Sequence, residues 1–200
     1  MIGVLGGVAG GKSLVARELV RLGAGLLDAD RAGHDVLCMP EIEAAARDRW
    51  GEAIFGADGR IDRARLGEIV FADPPGGPRE RTFLERLTHP EIGRKLAREA
   101  ERLVALGSVA AVLDAPLLLE AGWDRLCDTL VFVDAPRRLR LARARARGWS
   151  EADFDARQRA QHSVDAKRKR ADVVIDNSGS PEETQAEIER FWHALLRTEP

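Results

Sequence analysis

The stretch GGVAGGKSL, from Gly6 to Leu14, constrains this chain more than any other part of its sequence. It contains the spacing Gly6-x-x-x-x-Gly11-Lys12-Ser13 between a short apolar run and a segment with helical periodicity. Glycines allow successive backbone N–H groups to turn inward around an anion, and the following helix adds the positive end of its dipole. The stretch therefore predicts a strand, a phosphate-binding loop and a helix, in which Lys12 reaches the β- and γ-phosphates of a nucleotide and Ser13 ligates Mg²⁺.

Five short apolar runs alternate with helically periodic segments along the chain, which is the pattern of a parallel sheet with crossover helices. The strands are predicted at residues 2–5, 25–27, 109–113, 129–133 and 173–175. The first helix is expected over residues 12–22, ending before Gly23, and the last helix is expected to begin at Pro181. The sequence therefore predicts an α/β fold with a five-stranded parallel sheet.

Two insertions interrupt this pattern. Residues 31–107 form a mainly helical passage, broken by the loop DPPGGP at residues 73–78, and Pro136 opens a second helical passage that runs to about Arg170. Within the first insertion, the dipeptide His89-Pro90 predicts a helix that Pro90 starts and that His89 caps.

Polar residues follow the predicted strands, at the sheet edge where open parallel sheets bind ligands. The second strand ends in LLDAD, and in an extended segment Asp28 and Asp30 share one face. One of these carboxylates could act near Mg²⁺ and the other near a substrate hydroxyl, as phosphoryl transfer requires. The alternative is that Asp30 only caps a helix over residues 31–37.

The second insertion begins with the arginine-rich run PRRLRLARARARGWS. Such a run can be a nucleic-acid patch, a solvated helix face, or a mobile lid that brings arginines onto a transferring phosphoryl group. Arg143 and Arg147 are four residues apart and share a helix face, and Arg157 and Gln161 repeat that spacing.

The composition limits the partners of the protein. Its net charge of −2 argues against general binding to nucleic acid or to a membrane surface. Cys38 and Cys127 lie far apart without metal-ligand spacing, as expected in a reducing compartment. There is no basic-then-apolar leader and no apolar run of membrane-spanning length, so we expect a cytoplasmic protein.

Taken in order, the segments GGVAGGKS, LLDAD, LTHP, DAPLLLE, LVFVDAP, RQRAQ and ADVVIDNSG resemble the dephospho-coenzyme A kinase family over nearly the whole chain. The resemblance implies phosphorylation of the 3′-hydroxyl of dephospho-coenzyme A (dephospho-CoA) by ATP with Mg²⁺, the last step of coenzyme A synthesis. It also implies a three-layer P-loop kinase fold with a helical substrate domain and a lid. The nucleotide core would comprise residues 1–30, 108–135 and 171–200, the substrate-binding insertion residues 31–107, and the lid residues 136–170.

The resemblance also assigns roles to individual residues. It implies Asp30, Lys12 and Arg143 as catalytic residues. It places the nucleotide at Ala9, Gly10, Gly11, Lys12, Ser13 and Leu14, with the adenine end at Asn177 and Gly179. It places the acceptor and lid contacts at Asp28, His89, Pro116, Leu118, Glu120, Arg157 and Gln161.

Three positions depart from the family pattern. Ala9 replaces a usual glycine, Gly10 a usual serine and Leu14 a usual threonine. None of these changes removes a recognisable phosphate ligand. The lid is one residue shorter near Gly148, so Arg143 and Arg147 are its least secure assignments.

Two other classes of nucleotide-binding protein compete with this interpretation. Another P-loop small-molecule kinase, such as a nucleoside monophosphate kinase, shares the phosphate loop, whereas a regulatory GTPase would need an Asn-Lys-x-Asp motif that the sequence lacks. We expect ATP and dephospho-CoA as partners, no nucleic acid or membrane, and a monomer or weak homo-oligomer.

Overall fold

The structure is a computed structural model that describes residues 1–198, and in it the chain divides into two compact units. The first unit contains Met1–Asp28 and the chain from Arg98 onward, and the second contains Ala29–Ala97. The strands are β1 (Ile2–Gly6), β2 (Gly25–Leu27), β3 (Ala111–Asp114), β4 (Thr129–Asp134) and β5 (Val173–Asp176). The α-helices are α1 (Lys12–Arg21), α2 (Ala29–Leu37), α3 (Pro40–Trp50), α4 (Arg63–Val70), α5 (Gly76–Ala105), α6 (Arg137–Arg145), α7 (Glu151–Arg159), α8 (Val164–Arg170) and α9 (Pro181–Thr198).

All five strands form one parallel sheet in the order β2-β3-β1-β4-β5, which confirms the predicted α/β class. The strand β1 lies in the middle, with Val4 paired to Asp114 of β3 and Gly6 paired to Val133 of β4. The phosphate loop that follows β1 therefore leaves the centre of the sheet, with the carboxyl ends of β3 and β4 on either side.

The sheet is buried on both faces, as parallel sheets covered by crossover helices are. On one face, alternate strand residues pack against α1 and α9 in a cluster that includes Val4, Val131, Leu19 and Trp192. On the other face, Phe132 is fully buried and lies under the guanidinium of Arg168 from α8. Helices on both sides of the sheet give the three layers.

Several strands differ from their predicted bounds because backbone pairing continues beyond the apolar run. Backbone pairing extends β4 and β5 one residue further than predicted. The strands end at Asp134 and Asp176, which pair with each other as neighbours on these adjacent strands. The strand β3 begins at Ala111 instead of Val109, whose side chain is exposed. The predicted second helical passage consists of three separate helices, α6, α7 and α8.

The second unit is helical and has its own apolar cluster, which includes Ile54, Phe55, Leu66 and Val70. The prediction that Pro90 starts a helix is wrong, since Pro90 lies inside the thirty-residue helix α5. A proline there removes one backbone hydrogen bond, which a helix of this length survives.

The alternative that Asp30 only caps a helix also fails, because α2 begins at Ala29 and Asp30 lies in its first turn.

Among the described residues, no helix has both the length and the apolar character that crossing a membrane requires.

Candidate active site

The phosphate loop occupies the turn between β1 and α1, as the sequence predicts. The Gly10 N–H donates to the Gly7 carbonyl at 3.0 Å, which closes the loop. Gly11 precedes α1 with a φ of 103°, a left-handed conformation that favours glycine. Ala9 also has a positive φ, of 55°, at the position where the family pattern has glycine. The backbone thus adopts the unusual conformations of an anion-binding turn at the N-terminus of a helix.

Lys12 is held at this loop. Its Nζ donates to the Gly7 carbonyl at 3.3 Å. Burial lowers the pKa of Lys12 to about 8, and the nearby carboxylate of Asp114 opposes that shift. The ammonium is therefore only weakly favoured without a ligand, and a bound polyphosphate would stabilise its charge.

Ser13 is exposed in the first turn of α1. Asp114 ends β3 beside the central strand. In the described part of the chain, no group of three or more His, Cys, Asp or Glu side chains could hold a metal ion.

The helices α6 and α7 pack directly on the phosphate loop. Val8 and Ala9 share an apolar cluster with Leu141, Ala144 and Phe154. The guanidinium of Arg140 from α6 is buried beside the loop, donating to the Ala135 carbonyl at 3.0 Å and to the Gln158 side chain at 2.7 Å. The apolar residues between the arginines thus pack the arginine-rich run against the phosphate loop. The hydrogen bonds of Arg140 hold α6 to the end of β4 and to α7.

Arg143 lies on the same helix and contacts the loop backbone. Its guanidinium donates to the Gly10 carbonyl at 3.4 Å and to the Asn177 carbonyl at 3.0 Å. The Asn177 side-chain amide donates to the same Gly10 carbonyl at 2.8 Å. The structure thus brings together three residues that the sequence placed in different roles.

The other predicted lid residues are Arg147, Arg157 and Gln161. The side chain of Arg147 is exposed, and the guanidinium of Arg157 stacks on the Trp149 ring with its Cζ 4.2 Å from the ring centroid. Gln161 accepts a hydrogen bond from Lys167 at 2.9 Å. Exposed Gly179 precedes α9, and half-buried Leu14 lies in the first turn of α1.

The segment after β3 carries three of the predicted acceptor contacts. Pro116 is exposed, whereas Leu118 is 1% exposed and belongs to the core of the first unit. Glu120 accepts from the His162 backbone N–H at 2.7 Å and forms an ion pair with Lys167 at 3.3 Å.

The remaining predicted site residues follow β2 or lie in the second unit. Asp28 follows β2 and is exposed, and Asp30 is exposed in the first turn of α2. His89 is half-buried on α5, and burial lowers the pKa of its imidazole. Burial therefore favours the neutral form of His89.

The family model described as dephospho-CoA kinase matches residues 1–183 of the chain. The chain belongs to this family. The dephospho-CoA kinase of Symbiobacterium thermophilum is 40% identical over 198 residues, covering 97% of this chain and 80% of the relative. The dephospho-CoA kinase of Carboxydothermus hydrogenoformans is 43% identical over 192 residues, covering 94% and 90%. A crystal structure from Thermus thermophilus matches with a TM-score of 0.76 at 36% identity, covering 100% of this chain and 97% of that one.

Lys167 is a residue near this kinase site that the sequence analysis did not identify. Its side chain is 3% exposed, although it lies in the highly basic segment KRKR of α8. Its Nζ contacts the Pro116 carbonyl at 3.3 Å, Gln161 Oε1 at 2.9 Å and Glu120 Oε1 at 3.3 Å. A lysine ammonium has three donors, so these three acceptors occupy all of them. Lys167 therefore ties the segment after β3 to the corner between α7 and α8.

We expect Lys167→Met to destabilise the protein by about 3 kcal/mol, because it leaves the carboxylate of Glu120 without its buried partner. The double variant Lys167→Met/Glu120→Gln should recover most of this loss, since it removes both charges. Urea unfolding of the parent and the variants measures the effect. Lys169→Met, at an exposed position of the same helix, is the matched control. A Lys167→Met protein as stable as the parent would contradict this role.

Proposed function

We propose that this chain transfers the γ-phosphoryl group of ATP to the 3′-hydroxyl of dephospho-CoA, giving coenzyme A and ADP. Membership of the dephospho-CoA kinase family supports both the acceptor and ATP as the donor. The structural observation that carries the proposal is the position of Lys12. Its ammonium donates a hydrogen bond to the closed phosphate loop, which follows the central strand of the sheet. A cation and backbone donors that the loop holds in this way would need little rearrangement as charge develops on the transferring group.

In the proposed reaction, the 3′-oxygen of the acceptor forms a bond to the γ-phosphorus. The bond from that phosphorus to the β–γ bridging oxygen breaks, and the oxygen leaves with ADP. Asp30 accepts the hydroxyl proton as the general base. Lys12 and Arg143 stabilise the negative charge that spreads over the phosphoryl oxygens.

Mg²⁺ is the metal that fits the donors at the loop. The Ser13 hydroxyl is exposed at the start of α1, and the Asp114 carboxylate ends the adjacent strand. Both are hard oxygen donors, which Mg²⁺ prefers alongside substrate phosphates and waters. We propose that Ser13 and Asp114 hold the ion, which when bound would neutralise charge on the β- and γ-phosphates.

The remaining site residues have proposed roles in substrate binding. The loop backbone over residues 9–11, with Leu14, would surround the phosphates, and Asn177 and Gly179 would lie on the nucleotide side. The acceptor would contact Asp28, His89, Pro116, Leu118 and Glu120. Residues 136–170 would act as the lid, where Arg157 and Gln161 contact the substrates, and residues 31–107 as the substrate domain. We further propose a cytoplasmic protein, monomeric or weakly homo-oligomeric, that binds neither nucleic acid nor membrane.

An acceptor panel tests the proposed activity. We expect ATP-dependent ADP release with dephospho-CoA, a product that co-elutes with coenzyme A, and no release with AMP, CMP or shikimate above the rate without acceptor. Chelation of divalent cations should abolish the activity, and added Mg²⁺ should restore it. ADP release with a nucleoside monophosphate but not with dephospho-CoA would replace the proposal with a nucleoside monophosphate kinase.

A further inference from the structure

Asn177 is a buried polar residue, and both polar atoms of its side chain form hydrogen bonds within the protein. It follows β5 and is 3% exposed. Its Nδ2 donates to the Gly10 carbonyl at 2.8 Å, and its Oδ1 accepts from Thr184 Oγ1 at 3.3 Å and from the Arg143 guanidinium at 3.4 Å. A carbonyl can only accept and a guanidinium can only donate, so these neighbours fix which side-chain atom of Asn177 is the nitrogen.

The contact with Gly10 controls the direction of the next backbone donor. In a trans peptide, the carbonyl of Gly10 and the N–H of Gly11 lie in the same rigid plane and point in opposite directions. Asn177 and Arg143 hold that carbonyl from one side, so the Gly11 N–H is aimed to the other. Gly11 precedes α1, where unpaired N–H groups bind anions.

The close approach also requires glycine at position 11. A Cβ on Gly11 would overlap the side-chain nitrogen of Asn177. The two residues are far apart in sequence, since Gly11 lies on the loop after β1 and Asn177 directly follows β5. Thr184 of α9 donates a hydrogen bond to the side-chain oxygen of the asparagine.

We propose that Asn177 is a positioning residue of the phosphate loop, which orients the Gly10–Gly11 peptide so that the Gly11 N–H faces the nucleotide phosphates. Thr184 keeps the asparagine amide in this orientation. This inference rests on the proposed function only in that the loop binds ATP. It replaces a direct contact of Asn177 with adenine by a contact that acts through the backbone.

Binding of two nucleotides that differ only in the base separates these roles. We expect Asn177→Ala and Asn177→Asp to raise the Kd of ATP about tenfold or more, because the Gly10 carbonyl loses its main donor. The Kd of inosine triphosphate should rise by the same factor, so the preference between the two bases stays unchanged. Thr184→Val should produce a smaller loss of the same kind. Calorimetric titration without acceptor measures these constants, with Ser178→Ala, an exposed neighbour, as the control.

Two results would overturn the proposal. One is an unchanged ATP Kd in the folded variants. The other is a loss for ATP that inosine triphosphate does not share, which would indicate that Asn177 recognises adenine. If the Asn177 variants fail to fold, Thr184→Val supplies the same comparison. The measurement needs no acceptor, so a protein that binds ATP normally but leaves dephospho-CoA unmodified would contradict the proposed reaction alone.

Discussion

Lys12→Ala is expected to abolish nearly all phosphoryl transfer while leaving the protein folded. The lysine supplies positive charge where negative charge develops, and losing such a contact costs on the order of a few kcal/mol of transition-state stabilisation, or at least a hundredfold in rate. The fold should survive because burial lowers the pKa of Lys12 to about 8, which means that the charge of this lysine costs stability in the folded protein instead of adding to it. Because the pKa of Lys12 is lower in the folded protein than in the unfolded chain, this lysine lowers the free energy of unfolding at pH values below about 8. The loss disappears as the pH rises from there towards the pKa of lysine in the unfolded chain.

Steady-state kinetics and thermal unfolding of the purified variant measure both parts of this result. Arg17→Ala is the matched control, because Arg17 is an exposed cation on the same helix. The parent enzyme should also lose kcat/KM for ATP above about pH 8, as the free enzyme loses the Lys12 proton. At saturating ATP the corresponding fall in kcat should move to higher pH, since bound phosphates favour the charged lysine. Turnover close to the parent's in a folded Lys12→Ala protein would refute the role.

The parts of the structure that follow from local sequence could be predicted. The spacing from Gly6 to Ser13 requires a strand, a turn and a helix, and the structure has all three. The apolar runs located all five strands, but they missed the ends at Asp134 and Asp176, because backbone pairing does not depend on apolar side chains. Residues whose role depends on distant contacts were harder to assess. The segment DNSG around Asn177 has the composition of a plain turn, and only the fold brings Asn177 to Gly10.

Lys167 shows a second limit of the sequence. Its segment, KRKR, has the composition of a solvated helix face, and three of its four side chains are exposed. Nothing in the local pattern distinguishes the one that is buried. Its burial depends on the carboxylate of Glu120, which is supplied by a segment more than forty residues earlier. Pairing of this kind becomes visible only when the sheet and its connections are in place.

The Asp30→Asn variant distinguishes a general base from a residue that only stabilises its helix. Asp30 lies in the first turn of α2, where a negative charge interacts favourably with the helix dipole. Replacing the carboxylate by an amide should therefore cost stability only about 0.3–1 kcal/mol. A general base also needs its negative charge to take the hydroxyl proton as the phosphoryl group arrives. We expect Asp30→Asn to melt within a few degrees of the parent and to bind ATP normally, yet to lose roughly two to four orders of magnitude in kcat.

Asp28→Asn is the matched control, because Asp28 belongs to the same DAD segment and follows β2 directly. A substrate-binding role for Asp28 would raise the KM for dephospho-CoA and change kcat much less. If Asp30→Asn kept full activity and Asp28→Asn lost it, the base would be Asp28. Asp30 would then act only on its helix. Phosphoryl transfer has a loose transition state in which the proton can move late, so the size of the kcat loss also measures how far that proton has moved. A loss of only about tenfold would mean that Asp30 mainly orients the hydroxyl, and a loss of a thousandfold would mean that it removes the proton in the transition state.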